Sequence, residues 1–102
     1  MMKQNKPIVC KDGFKMSVQA SEYTYCSPRI NNAEKYTAAE VGYPSRHEEL
    51  LMPYIDGYAD TSSSTDSVYA WVPSQVIVDV VAKHGGIVEG ELPPGIPYLK
   101  AD

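Results

Sequence analysis

Hydrophobic and polar side chains alternate over residues 7–20, and this alternation predicts a β-hairpin. Asp12 and Gly13 form the dipeptide that a two-residue type I′ turn prefers, because both of its central residues need a positive φ. Such a turn would pair Val9 with Met16. One face of the hairpin would then carry the apolar side chains of Val9, Phe14, Met16, Val18 and Ala20. The pattern predicts a half-buried antiparallel pair of strands.

Three more segments are predicted to be extended. Residues 23–26 continue from the hairpin as a short extended piece, which ends at Ser27 and Pro28 because proline cannot donate to a strand ladder. Residues 36–43 predict a third strand, and residues 68–72 predict a fourth.

A short helix is predicted after the third strand. Ser45 as N-cap with Glu48 three residues later matches a capping box. Pro53 removes a backbone donor, so the helix should be short or kinked there, and Gly57 should end it. The polar stretch at residues 60–67 predicts a mobile loop.

Residues 73–86 allow two interpretations. The β-branched run at residues 76–81 favours a strand. Pro73 suits a first helical position, and the Gly-Gly pair that ends the segment is typical of a helix C-terminus. A strand would place Asp79 among apolar neighbours, whereas a helix would turn Asp79 and Lys83 outward as a favourable i,i+4 pair. The sequence therefore favours a helix.

Together these elements predict an α+β fold. We expect a four-stranded, mainly antiparallel sheet with two helices on one face, in the order β-β-β-α-β-α, in one domain spanning residues 1–102. Residues 1–6 and 89–102 are expected to be flexible or extended ends. The Pro-rich tail after residue 91 predicts an extended strap, held to the body by Leu92, Ile96 and Tyr98 or free to bind a partner.

Composition narrows the function classes. Thirteen acidic and nine basic residues give a net charge of −4, which argues against nucleic acid as a partner. No apolar run approaches the ~20 residues that a membrane span needs, and no N-terminal signal segment is visible. Two cysteines without close ligand spacing predict reduced thiols and no metal site. We therefore expect a cytoplasmic protein that does not act at a membrane.

The sequence contains no motif for catalysis or for cofactor binding. Gly-rich phosphate loops, nucleophile elbows and H-E-x-x-H helices are all missing from it. One enzymatic alternative is a nucleophile pair of Cys26 with His47 or His84. The simpler interpretation of His84 is a cation beside the C-terminal end of the helix dipole.

Tyrosine is the unusual feature of the composition. Eight of the ten aromatic residues are tyrosines, and Tyr suits surfaces that are dry on one side and wet on the other. Tyr23, Tyr25 and Arg29 surround the turn at residues 26–28, and Tyr and Arg are enriched in binding hot spots. We expect these three residues to form a partner-binding surface. The alternative is that they cover a second face of the sheet or a helix.

Several blocks of this sequence resemble segments of small uncharacterised accessory proteins of tailed phages and prophages. The blocks are DGFKMSVQAS at 12–21, YCSPR at 25–29, EVGYPS at 40–45, and the stretch from Val68 to KHGG at 83–86. The resemblance covers residues 8–88. It implies action in the host cytoplasm, where such proteins block a host defence or redirect a host enzyme by binding it.

These observations predict a small non-enzymatic binding protein, a phage-encoded accessory factor or anti-defence inhibitor that binds a host protein. The alternative is an oligomeric protein that sequesters a nucleotide or another small ligand. Because a chain of this length buries a limited core, we also consider a homodimer formed through a strand or helix that carries tyrosine.

Overall fold

One antiparallel sheet of five strands organises the chain, of which a computed structural model describes residues 4–56 and 61–102. The strands are β1 (Ile8–Cys10), β2 (Lys15–Gln19), β3 (Ala38–Gly42), β4 (Val68–Pro73) and β5 (Ile87–Glu89). Their order across the sheet is β4-β3-β2-β1-β5. The helix α1 (Ser74–Lys83) follows β4, and short 3-10 helices form at Glu49–Tyr54 and Thr61–Asp66.

The α+β class is confirmed, and two details of the predicted architecture are wrong. The sheet has five strands in the described residues because β5 pairs with the free side of β1. The first predicted helix is a 3-10 helix, so the described part of the chain contains one α-helix where two helices were expected.

The hairpin exists, but its register differs by one residue from the predicted one. Ile8 pairs with Met16, where Val9 was expected. Gly13 has the predicted positive φ of 92°, whereas Asp12 is not among the residues with positive φ, which excludes a type I′ turn. Cys10 N–H donates to Phe14 C=O, which leaves three residues, 11–13, in the loop. The shift buries Ile8 and Cys10 and leaves Val9 half-buried.

The segment at residues 23–26 is irregular, although a short extended piece was predicted there. Only Ser27 joins the sheet, through an isolated bridge to Ala38. The third and fourth predicted strands are confirmed, with slightly different ends.

The chain enters the first 3-10 helix differently from the capping box that was predicted. Glu48 is the N-cap, and its carboxylate accepts from Leu50 N–H at 2.9 Å. Ser45 instead pairs with Lys15, because its hydroxyl accepts from Lys15 N–H and its own N–H donates to Lys15 C=O. Gly57, the predicted end of this helix, lies outside the described residues, as does the start of the predicted loop at residue 60.

The helical interpretation of residues 73–86 is confirmed by α1. Ile77, Val80 and Val81 are buried in the core. The predicted pair of Asp79 with Lys83 is wrong: Gln75 binds Asp79, and Lys83 reaches across to Glu48.

The core lies between one face of the sheet and α1, and the C-terminal tail packs against it. Tyr36 and Tyr69 are both buried, so part of the tyrosine surplus belongs to the interior. In the tail, Ile96 is buried, and Ile87 on β5 exchanges two backbone hydrogen bonds with residues 99–101. Gly90 passes so close to the N-terminal segment that a Cβ there would lie 2.3 Å from Pro7 C=O.

Candidate partner-binding site

A bulge in β4 turns a tryptophan out of the sheet. Ala39 pairs with Val72 and Val41 pairs with Tyr69, so two residues of β4 oppose the single residue Glu40 of β3. Trp71 is one of those two, and it has a positive φ of 48°. That conformation is rare for a bulky residue and marks a local constraint. The bulge leaves the Trp71 side chain 49% exposed.

The irregular segment before β3 holds Trp71 in place. The backbone N–H of Trp71 donates to Tyr25 C=O at 3.0 Å, and its indole Nε1–H donates to Cys26 C=O at 3.1 Å. Tyr25 N–H in turn donates to the Glu40 carboxylate at 3.0 Å. Both backbones are therefore anchored before any partner binds.

Cys26 ties the same segment to the body of the protein. Its side chain is buried, with Sγ 3.2 Å from Ser21 C=O and 3.4 Å from Pro28 C=O. Ser27 N–H donates to Ala38 C=O at the edge of β3. Cys26 and Ser27 thus fix the loop that presents the side chains on either side of them.

Three exposed side chains meet on this scaffold and form what we call the aromatic platform: Tyr25, Arg29 and Trp71. The Tyr25 and Trp71 rings lie 4.9 Å apart between centroids, tilted by 35°. The Arg29 Cζ lies 5.3 Å from the centre of the Tyr25 ring, within range of a cation–π contact. Tyr25 is 36% exposed, so the platform keeps a surface accessible to solvent.

Of the three predicted site residues, the structure brings Tyr25 and Arg29 together in the aromatic platform, and Tyr23 makes none of the platform contacts described above. Tyr25 and Arg29 are in contact, whereas Tyr23 is 77% exposed and a hydrogen bond with the Glu22 carboxylate raises its pKa. Trp71 was missed by the sequence analysis. Regular alternation of side chains along a strand would put Trp71 on the same face as the buried Tyr69. The sequence contains no pattern that predicts the bulge, which turns the two side chains to different environments.

A second cluster, which we call the charge clamp, joins the hairpin turn, the first 3-10 helix and the end of α1. The His84 Nδ1 lies 2.6 Å from the Asp12 carboxylate, and its Nε2 lies 2.7 Å from the Glu48 carboxylate. Lys83 Nζ binds Glu48 at 2.9 Å, and Arg46 binds Asp12 at 3.1 Å. The interpretation of His84 as a cation beside a helix end was therefore incomplete, because its ring bridges two carboxylates. Phe14 stacks on that ring at 4.0 Å.

The clamp stabilises the ionised form of both carboxylates. The hydrogen bond from His84, followed by the one from Phe14 N–H, lowers the pKa of Asp12 to about 2. Burial of Glu48 tends to raise its pKa, but hydrogen bonds from Leu50 N–H, Lys83 and His84 outweigh burial and lower it. Both ring nitrogens of His84 thus face carboxylates, and the ring bridges Asp12 and Glu48. Its nitrogens are occupied, and the cluster fits a structural role.

The predicted nucleophile pair of Cys26 with a histidine does not form among the described residues. His84 is held in the charge clamp, and His47 binds Ser64 at 2.9 Å and Glu49 at 2.6 Å. Ser64 is only 6% exposed, so its hydroxyl offers little access to a substrate. We interpret the His47 contacts as a link between the two 3-10 helices. Cys10 is also unsuited to attack, because burial, reinforced by Asp12, raises its pKa to about 11.

The uncovered face of the sheet carries a shallow cleft of about 570 Å³. Lys6, Lys15, Glu89 and Glu91 contribute charges of both signs to its lining. The mixed charges give no concentrated positive field for a phosphate group.

Other classes of site are limited by what the described part of the chain contains. In residues 4–56 and 61–102, no three His, Cys, Asp or Glu side chains are grouped so that they could hold a metal ion. Every helix in those ranges is too short or too polar to cross a bilayer. Both cysteines are free, as predicted from their number and spacing. Comparison with protein-family models, curated proteins and solved structures found no match of any of the three kinds.

Proposed function

We propose that this chain is a small non-enzymatic binding protein and that the aromatic platform is the surface on which it holds a partner protein. The observation that carries the proposal is the exposed contact of Tyr25, Arg29 and Trp71. These are the three residue types most enriched in binding hot spots. Because the sequence resembles phage accessory proteins, we propose that the partner is a host protein of the cytoplasm and that binding inhibits it.

Preorganisation of the platform supports the proposal. Binding costs free energy when flexible side chains and loops must be ordered, and a surface that is already fixed avoids part of that cost. Here the backbones of Tyr25 and Trp71 are held by hydrogen bonds to each other and to Glu40. Keeping a tryptophan half-exposed at a positive φ has no evident benefit for the core, but it does present a large ring to solvent.

Affinity capture from bacterial host lysate with matched variants tests the proposal. Tyr25→Ala and Arg29→Ala should each reduce recovery of the same partner at least tenfold, since hot-spot truncations cost about 2 kcal/mol or more. Tyr98→Ala removes an exposed tyrosine from the tail, and it should leave recovery unchanged. The melting temperatures of all variants should stay close to that of the wild type.

Two outcomes contradict the proposal. One is recovery that falls equally with Tyr98→Ala, which would make the capture non-specific. The other is a large fall in melting temperature for the platform variants, which would make Tyr25 and Arg29 scaffold residues. A nucleotide that co-purifies in place of a protein would favour the sequestering alternative.

A further inference from the structure

We infer that the aromatic platform recognises an acidic peptide segment of its partner, in which a carboxylate side chain lies next to an apolar or aromatic one. This inference rests on the proposed function and adds the chemistry of the ligand. Two observations carry it: Arg29 has no carboxylate partner in the described residues, and the Tyr25 ring lies beside its guanidinium.

Arg29 has no carboxylate partner within the described ranges of the chain. The ion-pair contacts there involve Arg46, His47, Lys83 and His84, and none includes Arg29. Arg46, by contrast, is bound to Asp12 at 3.1 Å. The Arg29 Cζ lies 5.3 Å from the centre of the Tyr25 ring, and a guanidinium carries five N–H donors, so donors remain available for a planar acceptor.

A carboxylate is the acceptor that fits this edge. It matches the fork of guanidinium N–H groups in bidentate geometry, and both ions would be partly desolvated beside the Tyr25 ring. Desolvation strengthens such a hydrogen bond relative to one in open water. The two rings provide the apolar surface for the residue next to the carboxylate.

Charge argues against a phosphate-rich ligand at the same place. Glu40 accepts from Tyr25 N–H directly beneath the platform, Glu22 hydrogen bonds with Tyr23 nearby, and the whole chain has a net charge of −4. A nucleic acid needs several cations along its backbone, and the platform supplies one. A single carboxylate meets the one free guanidinium without excess negative charge.

Selection from displayed random peptides tests the inference, using the full chain as bait. Peptides enriched on the wild type should carry Asp or Glu beside an aromatic or large aliphatic residue. Changing that acid to its amide, or changing Arg29→Gln in the protein, should weaken binding at least tenfold, because either change removes the charge-assisted hydrogen bonds between them. Arg29→Glu should select peptides with Lys or Arg at the same position.

Lys100→Glu is the matched control, because it changes the net charge as Arg29→Glu does, at an exposed tail position. It should leave the selected peptides unchanged. Enriched peptides that depend on Tyr25 and Trp71 but lack an acid, or that bind Arg29→Glu equally well, would overturn the inference and leave the proposed function standing. Enriched peptides that are insensitive to Tyr25→Ala and Trp71→Ala would overturn both.

Discussion

Glu48 shows how much the fold depends on a single charged side chain. It is 1% exposed, and its two oxygens accept from His84, Lys83 and Leu50 N–H. Burial of an ion is costly unless partners compensate it, and here both carboxylate oxygens have hydrogen-bond partners. The carboxylate thereby joins the first 3-10 helix to the end of α1.

Glu48→Gln should lower the free energy of unfolding by about 3 kcal/mol, because it replaces a buried carboxylate that binds both Lys83 and His84 with a neutral amide. Urea denaturation monitored by circular dichroism measures this. Glu49→Gln is the control, since the neighbouring carboxylate is largely exposed and its loss should cost less than about 1 kcal/mol. Equal effects from the two substitutions would mean that the charge clamp is not formed in solution.

Acid should weaken the protein through the same groups. The pKa of Asp12 in the folded chain is about 2, below its ordinary value near 4, and the pKa of Glu48 is also lowered. A lowered folded-state pKa contributes stability that is fully present above the unfolded-state value and is lost as pH falls through the folded-state value. The melting temperature should therefore fall steeply between about pH 4 and pH 2. Asp12→Asn should start lower at pH 7 and fall less over that interval; a parallel fall would contradict the role of Asp12.

At the scale of elements, the hairpin turn offers a clean test of backbone conformation. Gly13 has a φ of 92°, and a Cβ added there would meet no atom within 4 Å. Gly13→Val should therefore destabilise the protein by about 1–2 kcal/mol through the backbone alone, because a β-branched residue resists that conformation. Gly13→Asn should cost clearly less, since Asn tolerates a positive φ. Thermal unfolding of both variants separates this effect from crowding, which would penalise both alike.

The elements also show which features of the fold the sequence could predict. Pro73 and the Gly-Gly ending predicted α1 correctly, because local signals at both ends agreed with the apolar face between them. The hairpin was found, but its register was not: the Asp-Gly dipeptide suits both a two-residue and a three-residue loop, and burial of Cys10 decides between them. Strand β5 has only three residues, too few to show a period.

Local sequence signals also explain why only part of the candidate site was predicted. Tyr25 and Arg29 are close in sequence, so their residue types and their spacing were enough to predict them as site residues. Trp71 joins them across the sheet, and His84 meets Asp12 across 72 positions of the chain. Such meetings depend on strand order and on a bulge, which are tertiary features that local patterns do not encode.

At the scale of the whole molecule, both outer edges of the sheet carry backbone partners. Ile55 and Asp56 pair with β4, and the tail pairs with β5 through a parallel bridge between Ile87 and Lys100. Covered edges reduce the chance that strands of separate molecules pair with each other. The tail therefore takes part in the fold, in addition to any contact it makes with a partner.

Ile96 tests whether the tail is held in this way. It is buried in the main core with Leu92 packed nearby, so Ile96→Ala should lower the free energy of unfolding by about 3 kcal/mol. Leu99→Ala is the matched control: this tail residue is 42% exposed, and its backbone bond to Ile87 N–H survives the substitution. It should cost less than about 1 kcal/mol. Urea denaturation of the two variants compares them directly. Similar small losses would mean that the tail is detached in solution, and the strap would then be free to bind a partner.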